Sequence, residues 1–305
     1  MNRNPRLGSK FFKGHGHGND YLVFEEGDFW SVTSEAVRTI CHRQRGVGSD
    51  GIVALLSSRS PFRVRMYNPD GSEFERSGNG LRILAAYLHL TGRAKIGAGF
   101  RVEVGGDEVT IEILGEGKGG IQDVSVEMGK ARFGPRAVGA DPDSFSSGAP
   151  AAQAVSGNQG SVLRGPDGAT LEVHPVSLGN PHCVLFRKEP LEADFQELGP
   201  FLTGHPSFPN GANVQIARVV SPEEVEILIW ERGVGRTSSS GTSACAAAAA
   251  GVQAGLLAPG PIRVEMEGGS FTVKVTPQMS VTLRGPVEPL YFGELTEGLL
   301  SRLRS

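Results

Sequence analysis

The chain has 305 residues, 39% hydrophobic and 21% charged, with a formal net charge of −3; that length fits two domains, each able to bury a core of its own. There is no basic stripe for nucleic acid or a membrane surface, no apolar run near the roughly 20 residues of a spanning helix, and no signal-peptide core in the first ten residues. The three cysteines, Cys41, Cys183 and Cys245, are too few for a disulfide framework, so the expectation is a cytoplasmic globular protein.

Taken in order, residues 11–18 (FFKGHGHG) read as a glycine-punctuated loop. His15 and His17 lack the further ligands that a metal would need. Residues 21–24 predict a short buried strand, 34–43 a helix, 45–50 a glycine loop and 52–56 a strand. In 62–67, Phe62, Val64 and Met66 alternate with Arg63 and Arg65, as in a half-exposed strand. A turn, Asn68-Pro69-Asp70-Gly71, precedes Ser77-Gly78-Asn79-Gly80, and residues 81–90 then predict a helix with Ser77 as N-cap. Strands are expected at 100–104, 108–114 and 124–128, and residues 134–157, rich in Gly, Ala, Pro and Ser, read as a linker and exposed loop. Strand character resumes at 161–176. A short polar helix is expected at 191–198, stopped by Gly199-Pro200, then a strand at 225–230, a helix at 244–255 and closing strands at 262–275 and 280–283.

One pattern organises these pieces. Ser240-Gly241-Thr242-Ser243 opens a helix 163 positions after Ser77-Gly78 does. Gly179-Asn180 precedes an apolar run 161 positions after Gly18-Asn19, and residues 211–215 match 48–52 at 163. Matches in one order at one spacing imply two similar halves. The reading is an α+β fold of two pseudo-twofold-related domains, each a mainly antiparallel sheet wrapped around a central helix. The expected bounds are 1–133 for the first half, with strands near 280–305 free to pack back on it, 134–160 for the linker, 161–283 for the second half and 284–305 for a C-terminal tail.

A helix start carries unpaired N–H groups and the positive end of a dipole, so each Ser-Gly start is a candidate anion site. Either alone is equally an ordinary capped helix; the repeat favours the functional reading and predicts Ser77 and Ser240 facing one cleft. Asn19, Asn68, Asn180 and Asn213 supply amides that donate and accept, His182 stands beside Asn180, and Glu231-Arg232 supplies one charge of each sign. Together they suit an α-amino carboxylate.

NPDGSEFERSGNG, SLGNPHCVLF, FPNGANVQIARV and WERGVGRTSSSGTSAC resemble the diaminopimelate epimerase family over essentially the whole chain. The resemblance implies inversion at an amino-acid α-carbon without pyridoxal phosphate, metal or other cofactor. One residue removes the proton from one face and another returns it to the opposite face. It implies LL- to meso-2,6-diaminopimelate as the reaction, in lysine and peptidoglycan synthesis. It also implies a small amino-acid substrate, no nucleic acid or membrane partner, and compatibility with a homodimer. Position by position, it implies substrate binding by Asn19, Asn68, Asn180, Asn213, Glu231 and Arg232, backbone contacts from Gly78, Asn79, Gly241 and Thr242, and a place near the reacting centre for His182.

The catalytic positions implied by the resemblance, cysteines in the family, fall on Ser77 and Ser240. A serine hydroxyl is a far weaker acid than a thiol and is not a useful base without a partner. Three explanations stay open here: the serines are engineered replacements; they are natural, and His182 or Glu231 carries out a one-base isomerisation or dehydration; or catalysis is lost and amino-acid binding retained. Ser243, where the family commonly has glycine, is a further departure.

Overall fold

The computed structural model describes residues 4–145, 160–188 and 191–304. The greater part of the expected 134–160 linker lies outside these residues. The chain divides into two units, residues 1–127 with 285–305 and residues 128–284.

In the first unit the strands Arg6–Gly16 and Asn19–Glu26 form a hairpin. Its turn is His17-Gly18, both at positive φ, as a tight two-residue hairpin connection requires. The second strand runs parallel to Ile52–Leu55, reached through helix α1 (Ser34–Cys41), with Leu22 opposite Ile52. Ile52–Leu55 pairs antiparallel with Phe62–Tyr67. Helix α2 (Gly78–Leu90) follows, and Phe100–Val104 then joins parallel to Phe62–Tyr67, with Asp107–Glu116 antiparallel beside it. The alternation expected at 62–67 holds: Phe62, Val64 and Met66 are buried and Arg63 is exposed.

The second unit repeats this order. Thr170–Ser177 and Pro181–Phe186 form the hairpin, and the latter runs parallel to Asn213–Ser221 through helix α3 (Leu191–Thr203). Asn213–Ser221 pairs antiparallel with Glu224–Glu231; helix α4 (Gly241–Gln253) follows, then Gly260–Met266 parallel and Gly269–Val275 antiparallel. Each unit is thus a mostly antiparallel sheet with α2 or α4 packed on it, and in the second unit α3 packs on the sheet as well. The register refines one match: Cys183 opposes Val214 as Leu22 opposes Ile52, so Asn213 corresponds to Gly51 rather than to Asp50.

Three segments differ from the sequence expectation. Residues 11–16 are strand, not loop. Gly14 and Gly16 lie on the face against α2, where a Cβ at Gly14 would meet Ile83 and one at Gly16 would meet Asn79 and Arg82. The glycines are therefore a packing requirement of a strand. Helix α3 continues past Gly199-Pro200 to Thr203. Phe195, Leu198 and Leu202 bury one apolar stripe, and that burial carries the helix through a proline whose own side chain is exposed. The final strand runs Ser280–Glu294 and pairs with Arg6–Gly16, and a helix, Glu297–Arg304, follows it where a tail was expected. Among the described residues no helix is long and apolar enough to cross a membrane.

Candidate active site

Helix α2 begins as its sequence predicts. Ser77 is its N-cap in an extended conformation, and its Oγ accepts the Gly80 N–H at 3.1 Å. The Leu81 N–H goes to the Ser77 carbonyl, and the Ser77 N–H to the Met66 sulfur at 3.3 Å. Among the described residues, the N–H groups of Gly78 and Asn79 donate no hydrogen bond. Asn19 lies beside it. The Asn79 amide donates to the Asn19 carbonyl at 2.6 Å and to Asn19 Oδ1 at 2.7 Å. Asn68 instead closes its own turn, donating to Ser72 Oγ at 3.0 Å.

A charged cluster supports Asn19. Its amide donates to Asp50 Oδ2 at 3.2 Å, as does the Asp20 N–H at 3.1 Å. Arg43 bridges both carboxylates, and Lys13 Nζ lies 2.8 Å from Asp20 Oδ2. Burial pushes Asp20 up, but Arg43 and Lys13 outweigh it and hold the carboxyl below its usual range. Burial, then the negative charge of Asp20, lifts Asp50 above the usual range.

The second start differs. Ser240 caps α4 in the same extended conformation, but its side chain makes no capping hydrogen bond. Only the Ala244 N–H is taken, by the Ser240 carbonyl; those of Gly241, Thr242 and Ser243 have no recorded partner among the described residues. From Ala244 to Ala250 the helix is fully buried. The small side chains let the sheet close around it, and Cys245 is one of them.

His182 and Asn180 meet directly, His182 Nε2 lying 2.9 Å from Asn180 Oδ1. An amide oxygen only accepts, which assigns the proton to Nε2; Nδ1 is buried without a hydrogen-bond partner. His182 is 0% exposed, and burial lowers its pKa to about 4, with the charge of Arg232 adding to the effect and Gln215 opposing it. At neutral pH it is an uncharged imidazole. Gln215 also donates to Ser243 Oγ at 3.0 Å, joining the His182 neighbourhood to the first turn of α4.

Asn213 donates to the Pro181 carbonyl at 3.2 Å and accepts the Arg232 N–H at 3.0 Å. Arg232 is exposed, its guanidinium on the Asn210 carbonyl at 2.7 Å, and Glu231 accepts from Thr237 Oγ1 at 3.2 Å. Arg232 thus lies at a solvated edge, with Glu231 beside it only half-buried. Cys41 and Cys183 offer no substitute thiolate, since burial lifts Cys41 to about 11 and raises Cys183 as well.

The fold thus joins Asn19 to Asn79 in one unit, and Asn180 to His182 and Asn213 to Arg232 in the other. Sequence reasoning missed Arg82, Asp50 and Gln215 as site residues. A signal for Arg82 was present: it is the one charged residue in an otherwise apolar helical run, 81–88.

The family model for diaminopimelate epimerase matches residues 11–134 and 175–289. The chain is 36% identical over 293 residues to diaminopimelate epimerase 2 of Nostoc sp., covering 94% of this chain and 95% of that protein. It is 36% identical over 295 residues to the diaminopimelate epimerase of Pelotomaculum thermopropionicum, covering 93% and 98%. A hydroxyproline epimerase structure from Agrobacterium vitis superposes with a TM-score of 0.64 at 15% identity, over 94% of this chain and 92% of that one. This last likeness is one of fold.

Proposed function

The chain belongs to the diaminopimelate epimerase family, and we propose that it is an amino-acid isomerase acting on 2,6-diaminopimelate with Ser77 and Ser240 in the two acid–base positions. The observation that carries this reading is the duplicated helix start. In each unit a Ser-Gly pair opens a buried helix whose first N–H groups have no partner among the described residues, with the Asn19 and Asn79 amides at the first start and the Gln215 amide at the second. In this reading the carboxylate on the reacting carbon accepts from the N–H groups of Gly78, Asn79, Gly241 and Thr242. Asn19, Asn68, Asn180, Asn213, Glu231 and Arg232 hold the remaining amino and carboxylate groups.

The chemistry follows from those donors. Removing the α-proton sends charge into the carboxylate. Fixed N–H dipoles aimed at that group stabilise the charge as it develops and need no reorganisation. The proton transfer itself is the weak link. Ser77 spends an oxygen lone pair on the Gly80 N–H, and neither hydroxyl ionises at neutral pH without a base beside it. In this reading the protein is a slow epimerase. A second reading rests on one-face chemistry by His182 or Glu231, and His182, a buried neutral imidazole at neutral pH, is a base able to move a proton on a single face.

Calorimetry with diaminopimelate, and α-proton exchange in heavy water followed by NMR and chiral chromatography, test both readings. Binding with slow exchange and inversion supports the first. Exchange without inversion supports one-face chemistry through His182, binding alone supports an amino-acid-binding protein, and absence of binding removes diaminopimelate as the substrate.

A further inference from the structure

Arg82 is 0% exposed in the middle of α2, and its Nη2 donates to Asn79 Oδ1 at 2.9 Å. The Asn79 amide then uses both of its hydrogens on Asn19, one on the backbone carbonyl and one on Oδ1. Asn19 in turn donates to Asp50 Oδ2, and Asp50 is held by Arg43. The bonds all run one way, from a guanidinium, through two amides, to a carboxylate. An amide has two faces of opposite polarity, and here the charge at each end decides which face points where. With Arg82 behind it, Asn79 must turn its oxygen inward; with Asp50 ahead of it, Asn19 must turn its nitrogen outward.

We infer that Arg82 and Asp50 are positioning residues that fix the amide orientations of Asn79 and Asn19, and through them the first turn of α2, for ligand binding. The binding part of this inference rests on the function proposed above. A division of labour follows. The Asn79 side chain has no donor left, so Asn79 meets a ligand through its backbone N–H. Asn19 keeps one amide hydrogen and one oxygen lone pair, so its side chain is the one free to touch a ligand. Gly16 completes the arrangement: a Cβ there would run into both Asn79 Oδ1 and Arg82 Nη2.

The test uses the full chain with Arg82→Met, Arg82→Lys and Asp50→Ala, each checked for folding by circular dichroism. Side-chain amide hydrogen exchange is read by NMR on asparagine-labelled protein, and diaminopimelate affinity by calorimetry. Arg82→Met and Asp50→Ala are each expected to speed exchange of the Asn79 side-chain amide about tenfold and to weaken binding about tenfold, as loss of a hydrogen bond to a charged group implies. Arg82→Lys, which still donates, restores most of both. Folded variants with unchanged Asn79 exchange overturn the relay, and altered exchange with unchanged affinity overturns its role in binding. Should Arg82→Met not fold, Asp50→Ala decides, since that side chain is 36% exposed. Should the parent chain not bind diaminopimelate, the proposed substrate falls, and Asn79 exchange alone upholds or overturns the relay.

Discussion

The starts of α2 and α4 share a Ser-Gly pair and an extended N-cap serine, yet they are chemically unlike. At α2 the serine is built into the helix, bonded through Oγ to Gly80. At α4 the serine makes no side-chain cap. Among the described residues, two N–H groups are left unpaired at the first and three at the second. The surroundings differ as well. The α2 amides are oriented by Arg82 and Asp50, whereas Asn213 is oriented by backbone groups alone and His182 is buried uncharged. The two starts share their backbone geometry, while their serines differ in hydrogen bonding. Ser77 serves as a structural cap, and Ser240 has a side chain that the helix does not occupy.

The largest expected effect on stability lies in the second unit. The pKa of His182 is lowered to about 4 in the folded chain, against about 6.5 unfolded. The neutral side chain contributes its full stability above pH 6.5. As pH falls from 6.5 towards 4 the unfolded chain takes up a proton that the folded chain does not, and stability is lost. Over that window the loss is on the order of 3 kcal/mol. Denaturant unfolding of the parent and His182→Gln at pH 7 and pH 4 isolates it, because the carboxylates common to both cancel in the difference. An equal pH dependence for both proteins would break the contrast between a charged and a neutral half-site.

A smaller effect sharpens the contrast between the serines. Ser77→Ala removes a cap and is expected to cost about 1 kcal/mol of unfolding free energy. Ser240→Ala removes none and is expected to stay within about 0.5 kcal/mol of the parent. Denaturant midpoints of the two variants, measured side by side, check this. Equal losses would mean that the two starts are energetically alike.

The parts readable from sequence were those whose cause is local. Ser77 before an apolar run announces a capped helix, the order of the repeat announces two similar units, and the alternation at 62–67 announces a strand. The parts not readable have distant causes. Gly14 and Gly16 look like loop residues until α2 is packed over them. Gly199-Pro200 looks like a stop until Phe195 and Leu202 are buried on either side of it. Asp50 looks like a turn residue until Asn19 and Arg43 arrive from other elements. The asparagines were visible as candidates, but the amide orientations of Asn19 and Asn213 depend on partners about thirty positions away, Asp50 and Pro181.

The central claim is that the two hydroxyls limit an otherwise suitable site. Ser77→Cys, Ser240→Cys, the double variant and the parent, compared for α-proton exchange and inversion of diaminopimelate in heavy water, test it directly. A helix N-terminus favours thiolate, and inversion needs an acid on one face and a base on the other. The double variant is therefore predicted to invert about 10²–10⁴ times faster than the parent, the range that general acid–base catalysis supplies. Either single variant is predicted to gain exchange without comparable inversion. A parent that inverts diaminopimelate as fast as the folded double variant would contradict the claim.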